Sequence, residues 1–363
     1  MDHSEQMFGS QGGAGACATI PGWARLQLGE NPGYAARRVI PDVGLGAPPS
    51  GDPAKGRFLS ELEGARPSEL EGVQQDGMKD VRPSPIAGIW YPGDPAALAQ
   101  SIDTQLSAAK VQAPPGTIVG LIAPHAGHRY SGQVAAHAFQ LVQGLRYDIL
   151  AIVAPMHYPL PGEVLTTSHS AYGTPLGEIE VDVDAVERLS RVLADSGVRL
   201  ERVTQDPEHS LEIELPFLQR ALLPGFRLLP VMLRDQSRPV VEALGRSLAT
   251  VLAGRRALLV GSSDLSHFFP DEVARRLDGE MLARLRAFDP EAVLAAEDEG
   301  VAFACGKGAL AAVLWAAAGL GADRVDILNY SHSGEVTGDH LSVVGYGAAV
   351  IYRADDPQRR RTS

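Results

Sequence analysis

The sequence predicts an α/β fold: a mainly parallel central sheet covered by helices on both faces, in a single domain behind an N-terminal extension. Two patterns carry this expectation. From Thr117 onward, apolar runs of strand length alternate with runs of helical period, and such alternation produces βαβ units with parallel strands. Six short segments also place His, Asp, Glu or Cys where strands would end: PHAGHRYSG (124–132), APMHY (154–158), DPEHSLEIELPF (206–217), VGSSDLSHF (260–268), ACGKG (304–308) and HSGEVTGDHLSVVGYGAA (332–349). Ligands of such sheets sit beyond the carboxyl ends of the strands, so these side chains read as one metal-binding pocket on one rim.

Each element is justified in turn. TIVGLIAP is a buried strand, SGQVAAHAFQLVQGL a helix and YDILAIVAP a second strand, because unbroken β-branched and Leu runs suit a sheet covered on both faces. VDAVERLSRVLADSG repeats its apolar residues at helical spacing. There follow SLEIELPFLQRALL (helix, with Pro216 inside), FRLLPVMLRD (strand), SRPVVEALGRSLATVLAG (helix) and RALLVGSS (strand). The pattern closes with helices at 270–287, 290–298 and 306–319 and strands around 324–330 and 341–352. His125, His157 and Asp264 all fall just past strands.

Before this region the composition differs. Of the first 82 residues 21 are Gly or Pro, and the one helical pattern there is RFLSELEGA. Such a stretch buries too little apolar surface to offset its ordering entropy, so residues 1–82 are expected to be a disordered extension, dispensable at least up to residue 77. The compact domain is expected over 83–352, with 353–363 as a tail. The chain has 363 residues, 45% hydrophobic and 21% charged, enough for one large core. A net charge of −12 argues against a nucleic-acid surface, and no apolar run reaches the 18 residues of a membrane span. The N-terminus does not read as a secretory signal, and two cysteines, Cys17 and Cys305, make no disulfide framework, so a reducing cytoplasm is expected.

Candidate site residues follow from position. His125 and His157 occupy matched places after successive strands; one such His is usually a turn residue, whereas two point to a shared ligand. Cys305 stands where Gly306 opens a helix, which would lower its thiol pKa, although most free cysteines are small buried hydrophobes. Glu208-His209 projects from the loop entering a helix with Ser210 as its N-cap. Asp264 and His267 are three apart and would share a face of a helical turn, where either can orient a ligand or move a proton. His169 and His137 are left out of the site, and His332 and His340 have no clear assignment.

The segments AGIWYPGD (87–94), PHAGHRYSG, PMH, EHSLEIELPFLQ, SSDLSHF, CGKGAL and SGEVTGDHLSVVGYGAA together resemble the Memo family, whose prokaryotic members are called AmmeMemoRadiSam system protein B. The resemblance runs from about Pro83 to Tyr352. It implies the fold of the class III extradiol ring-cleavage dioxygenases, which use non-heme iron(II), and a metal site made by His125, His157 and Cys305. It also implies radical-SAM and AMMECR-type partner proteins. Two departures stand out: His128 replaces a common Tyr after PHAG, and Ala154-Pro155-Met156 replaces a more usual Gly-Pro-Asn or Gly-Pro-Ser. Here a thiolate takes the place of the carboxylate of the ring-cleaving enzymes, which softens the site toward copper, zinc or thiolate-bound iron.

The expected cofactor is therefore one metal ion, iron first, with copper and zinc as alternatives. The expected function is a redox or oxygen-dependent enzyme component, in which His209 or His267 donates a proton and Asp264 orients it. A non-catalytic module binding a peptide or partner protein, and a zinc-dependent hydrolase, are the alternatives.

Overall fold

The computed structural model describes residues 80–355. The expected disordered extension lies outside them except for its last three residues, and these belong to the domain. Val81–Arg82 forms β1 and pairs in parallel with β5, and Arg82 is buried. At the other end the last strand runs to Ala354, two residues past the expected boundary. Among the described residues no helix is long and apolar enough to cross a membrane.

The first helix, α1 (Pro95–Ala108), was not read from the sequence, though its signals are local. Asp94 accepts a hydrogen bond from the Ala97 amide at 2.8 Å, Pro95 opens the first turn, and Leu98, Ile102 and Leu106 recur every four residues on the buried face. β2 (Gly116–Ala123), α2 (His128–Gln140) and β3 (Ile149–Pro155) then follow as the pattern predicts. A stretch of short strands comes next: β4 (Val164–Thr167), β5 (Ala171–Thr174) and β6 (Gly177–Glu180). α3 (Val183–Asp195) leads to β7 (Leu200–Val203).

The helix expected over SLEIELPFLQRALL is a 3-10 turn, Glu212–Glu214, running into α4 (Leu215–Ala221). Pro216 sits in the first turn of α4, where its missing amide costs nothing, rather than inside a longer helix. β8 (Arg227–Leu233), α5 (Arg238–Leu252), β9 (Ala257–Ser262) and β10 (His267–Phe269) follow. The chain closes with α6 (Asp271–Arg286), α7 (Pro290–Asp298), α8 (Lys307–Gly319), β11 (Arg324–His332), the short α9 (Gly334–Thr337) and β12 (Val343–Ala354).

The main sheet is parallel across its centre and again where β7 joins β4 at one edge, with antiparallel strands between and at the other edge. β2, β9, β3 and β8 lie side by side in parallel, while β12 is antiparallel to β2, β11 to β12 and β4 to β8. The reason is connection length. Strands β11 and β12 are joined too briefly for a crossover, and a short connection forces antiparallel pairing. β9 lies between β2 and β3, so the loops leaving the carboxyl ends of all three open on one spot. A separate sheet, β1-β5-β6, carries Arg82.

Helix α8 is apolar on nearly every face and is almost wholly buried. Gly245 of α5 lets it come close: a Cβ there would stand 2.5 Å from Trp315 Cβ.

Asp278 of α6 is fully buried, accepting hydrogen bonds from the Ser266 amide at 2.8 Å and the Tyr330 hydroxyl at 2.8 Å. Burial, the largest influence, raises its pKa to about 6. A carboxyl raised from its unfolded value of about 3.9 favours folding below about pH 4, and that contribution is lost as pH rises through 6. Asp278→Asn is therefore expected to gain roughly 2–3 kcal/mol relative to the wild type between pH 4 and 7. Denaturant unfolding at a series of pH values measures it, and a difference independent of pH would contradict it.

A candidate metal centre at the carboxyl edge of the sheet

His125 leaves β2 buried, and its backbone is pinned. Asp264, past the end of β9, accepts from the His125 amide at 2.8 Å and the Ala126 amide at 3.3 Å. The ring is pinned as well. His125 Nδ1 lies 2.9 Å from Ser262 Oγ, which also faces the Ser210 carbonyl at 2.6 Å and Glu214 Oε1 at 2.9 Å. Ser262 has one proton for two acceptors. Burial pushes the Glu214 carboxyl well above its ordinary value, and a neutral Glu214 resolves the conflict by donating its own proton to Ser262. Ser262 then accepts from the His125 Nδ1–H, which leaves the Nε2 lone pair facing the cysteine.

Cys305 Sγ stands 3.0 Å from His125 Nε2. Its amide donates to the Asp264 carbonyl at 3.2 Å, and the next amide, of Gly306, donates to Ser263 Oγ at 2.9 Å. A glycine is required at 306 because a Cβ would meet the Ser262 carbonyl at 2.6 Å. The expectation that a helix N-terminus lowers the thiol pKa fails here. Burial outweighs every favourable contact and pushes the thiol up.

His157 leaves β3, and His209 comes from the loop before the 3-10 turn. One carboxylate holds both. Glu208, buried, accepts from the His157 amide at 2.6 Å, His157 Nδ1 at 3.0 Å, the His209 amide at 2.8 Å and the Ser210 amide at 2.9 Å, and lies 3.1 Å from His209 Nδ1. Burial alone would raise its pKa, but these donors overcome that and hold it at about 2. With its Nδ1 committed to Glu208, the His157 ring offers Nε2 to the site. For His157 burial is likewise outweighed, by the Cys305 sulfur and the Glu208 carboxylate, and its pKa rises to about 10. His209 is lowered to about 4, mainly by burial. The Trp90 ring lies against His209 with centroids 4.1 Å apart.

One ring nitrogen each of His125, His157 and His209 falls within 4.8 Å of the other two. Three ring nitrogens within reach of one another, the His125 and His157 Nδ1 atoms tied to Ser262 and Glu208, and a sulfur 3.0 Å from His125 Nε2 make a donor set that fits a transition-metal ion.

The structure brings ring nitrogens of His125, His157 and His209 together and places Cys305 Sγ beside His125 Nε2. His209, expected one layer further out, has a nitrogen among the inner donors. Asp264 is not on a helical turn with His267. His267 lies in β10, half-buried, and the Asp264 carboxylate serves the amides of 125 and 126 instead. Burial raises Asp264 to about 7 and lowers His267 to about 4, the latter also disfavoured by charge on His157. Ser210 does not cap a helix; its hydroxyl donates to the Pro155 carbonyl at 2.7 Å. His128 faces away from the site, its ring against Tyr91 and Phe217 and its Nε2–H on the Ile213 carbonyl at 3.0 Å. Sequence reasoning places Glu208 beside His209 on the loop without giving it a role, and misses Ser262. No sequence signal separates Glu208 from Glu212 and Glu214, four and six residues on.

A profile described as Memo-like protein matches residues 82–350. The chain belongs to the Memo family. Among its relatives, a MEMO1 family protein of Methanothermobacter thermautotrophicus is 36% identical over 279 residues, 73% of this chain and 98% of that one. A MEMO1 family protein of Nitrosopumilus maritimus is 32% identical over 273 residues, 74% of this chain and 98% of that one. The match therefore spans nearly the whole of each Memo relative and, in this chain, the described domain. A solved structure, an uncharacterized protein from Escherichia coli K12, superposes with a TM-score of 0.41 at 15% identity over 63% of this chain and 99% of that one, too distant to bear on the site.

Proposed function

We propose that this Memo family protein binds one redox-active metal ion, iron first and copper second, through His125, His157 and Cys305, with His209 as an adjacent fourth donor. The reading extends to a redox or oxygen-dependent reaction on a small molecule or peptide. One observation carries it: Cys305 Sγ lies 3.0 Å from the Nε2 of an imidazole whose other nitrogen is committed to Ser262. A thiolate among imidazoles supports copper, zinc or thiolate-bound iron over a hard oxygen-ligand site. When bound, the metal would supply redox or Lewis-acid chemistry. The protein's own residues orient the rings, hold the loops and, through half-buried His267, place a titratable group at the rim. Cytoplasmic placement and action beside radical-SAM and AMMECR-type proteins belong to the same proposal and rest on the family resemblance.

Metal analysis and oxygen uptake of protein purified without oxygen test the proposal. Close to one iron or copper per chain, with oxygen consumption, is the expected result. Stoichiometric zinc without oxygen uptake would replace it with the hydrolytic reading, and no bound metal with the partner-binding one. His267→Ala is expected to keep most of the metal while turnover falls by about 10–100-fold, whereas His125→Ala loses the metal. Equal loss of metal in both variants would make His267 a ligand.

A further inference from the structure

We propose that Asp271, His332 and His340 form a second divalent-cation site, distinct from the cluster around Cys305. Their donor atoms lie within 4.8 Å of one another. One carboxylate joins the two rings, with Oδ1 3.0 Å from His332 Nε2 and Oδ2 3.0 Å from His340 Nδ1. Two imidazoles and a carboxylate are a donor set suited to zinc, cobalt, nickel or iron(II). The fold fixes their places: Asp271 opens α6, fully buried His332 ends β11, His340 lies in the connection to β12, and the Asp271 amide donates to the His340 carbonyl at 2.9 Å. Glu335 adds a second carboxylate, 3.6 Å from His332 Nε2.

An independent observation says that this place suits a cation other than the one it holds. The Arg275 guanidinium reaches in, paired with Asp271, 2.9 Å from Glu335 and 2.7 Å from His332 Nε2. That nitrogen therefore faces an N–H donor and a carboxylate acceptor together. Arg275 requires its lone pair, whereas the Gly334 amide, donating to Nδ1, leaves the ring proton on Nε2 toward the Asp271 oxygen. One nitrogen cannot supply both, and a guanidinium has no lone pair with which to adapt. A divalent cation bound between His332 Nε2 and Asp271 draws a lone pair from each and removes the mismatch. Arg275 then keeps Glu335, its present partner. The ring proton moves to Nδ1, where the Gly334 amide, now 3.2 Å away, must yield by a small rotation of the turn. The bound cation would tie α6 to the β11–β12 connection, a few residues from His267.

Titration of the metal-free full-length chain with cobalt(II) tests this, because the two sites differ in sulfur. A cobalt ion beside Cys305 gives a near-ultraviolet thiolate-to-metal band, and one held by Asp271, His332 and His340 gives none. The expected result is two equivalents. The one with the band disappears in Cys305→Ser. The one without it disappears in the surface variant His340→Ala and in Asp271→Asn, and binds about tenfold or more tightly in Arg275→Gln. Saturation at the single sulfur-bearing equivalent would overturn the proposal, as would a sulfur-free equivalent that survives both His340→Ala and Asp271→Asn. Absence of the band with the sulfur-free equivalent intact would overturn the Cys305 centre and leave this site standing. Unchanged affinity in Arg275→Gln would refute displacement of the guanidinium.

Discussion

Glu208→Ala is expected to damage the fold and the metal centre together. The wild-type carboxylate accepts from the amides of His157, His209 and Ser210 and from His157 Nδ1, and it also stands beside His209 Nδ1. Alanine leaves these buried donors facing nothing, and it releases the His157 ring from the orientation that turns Nε2 inward. Desolvated donors without acceptors cost about 1–3 kcal/mol each, partly relieved by water, so a loss of about 3 kcal/mol in stability is expected. Metal affinity should fall by about 10–100-fold, the usual effect of removing a group that orients ligating imidazoles. Glu208→Gln retains volume and one acceptor and should fall between. Denaturant unfolding and competitive metal titration measure the two effects. Wild-type metal affinity in Glu208→Ala would show that the rings are oriented by something else.

Arg82→Met is expected to cost more stability still. The residue is 1% exposed. Its guanidinium donates to Asp206 Oδ2 at 2.7 Å and the Glu208 carbonyl at 2.6 Å, pairs with Glu212, and lies 4.8 Å over the Tyr172 ring. Glu212 in turn accepts from the Tyr91 hydroxyl at 2.6 Å. Removing one side of a buried ion pair strands the other, which costs about 3–5 kcal/mol. The same change frees the 206–212 loop that carries Glu208 and His209, so metal affinity should fall with stability. Lysine keeps the charge but not the three-way fork, and should restore only part of the loss. A chain beginning at Pro83, where composition suggests the domain starts, lacks this residue and should behave like Arg82→Met. A destabilisation below about 1 kcal/mol in the methionine variant would contradict the strut.

The contrast between Arg82 and His125 shows what the sequence reveals. His125 and His157 are legible because each follows an unbroken apolar run, and a buried parallel strand delivers the next residues to one known edge. Arg82 belongs to a strand of two residues, too short for any period, and its partners are 124 and 130 positions away. Glu208 is hidden for a similar reason: in DPEHSLEIE three glutamates look alike, and only the path of the loop decides which one faces the histidines. Asp264 and His267 have helical spacing, but the chain past β9 is held extended by pairing with β12, which separates them. The antiparallel margin follows from the short β11–β12 connection, a length visible in the sequence, although the strand pattern alone suggests a more uniformly parallel sheet.

The central claim is that Cys305 and the histidines of the strand-end loops bind one metal ion. X-ray absorption at the metal edge, on protein purified without oxygen, tests it most directly. The expected shell has one sulfur at about 2.3 Å and two or three nitrogens at about 2.0–2.1 Å, with the sulfur lost in Cys305→Ser. A shell of nitrogen and oxygen alone in the wild type, or one unchanged by Cys305→Ser, would contradict it.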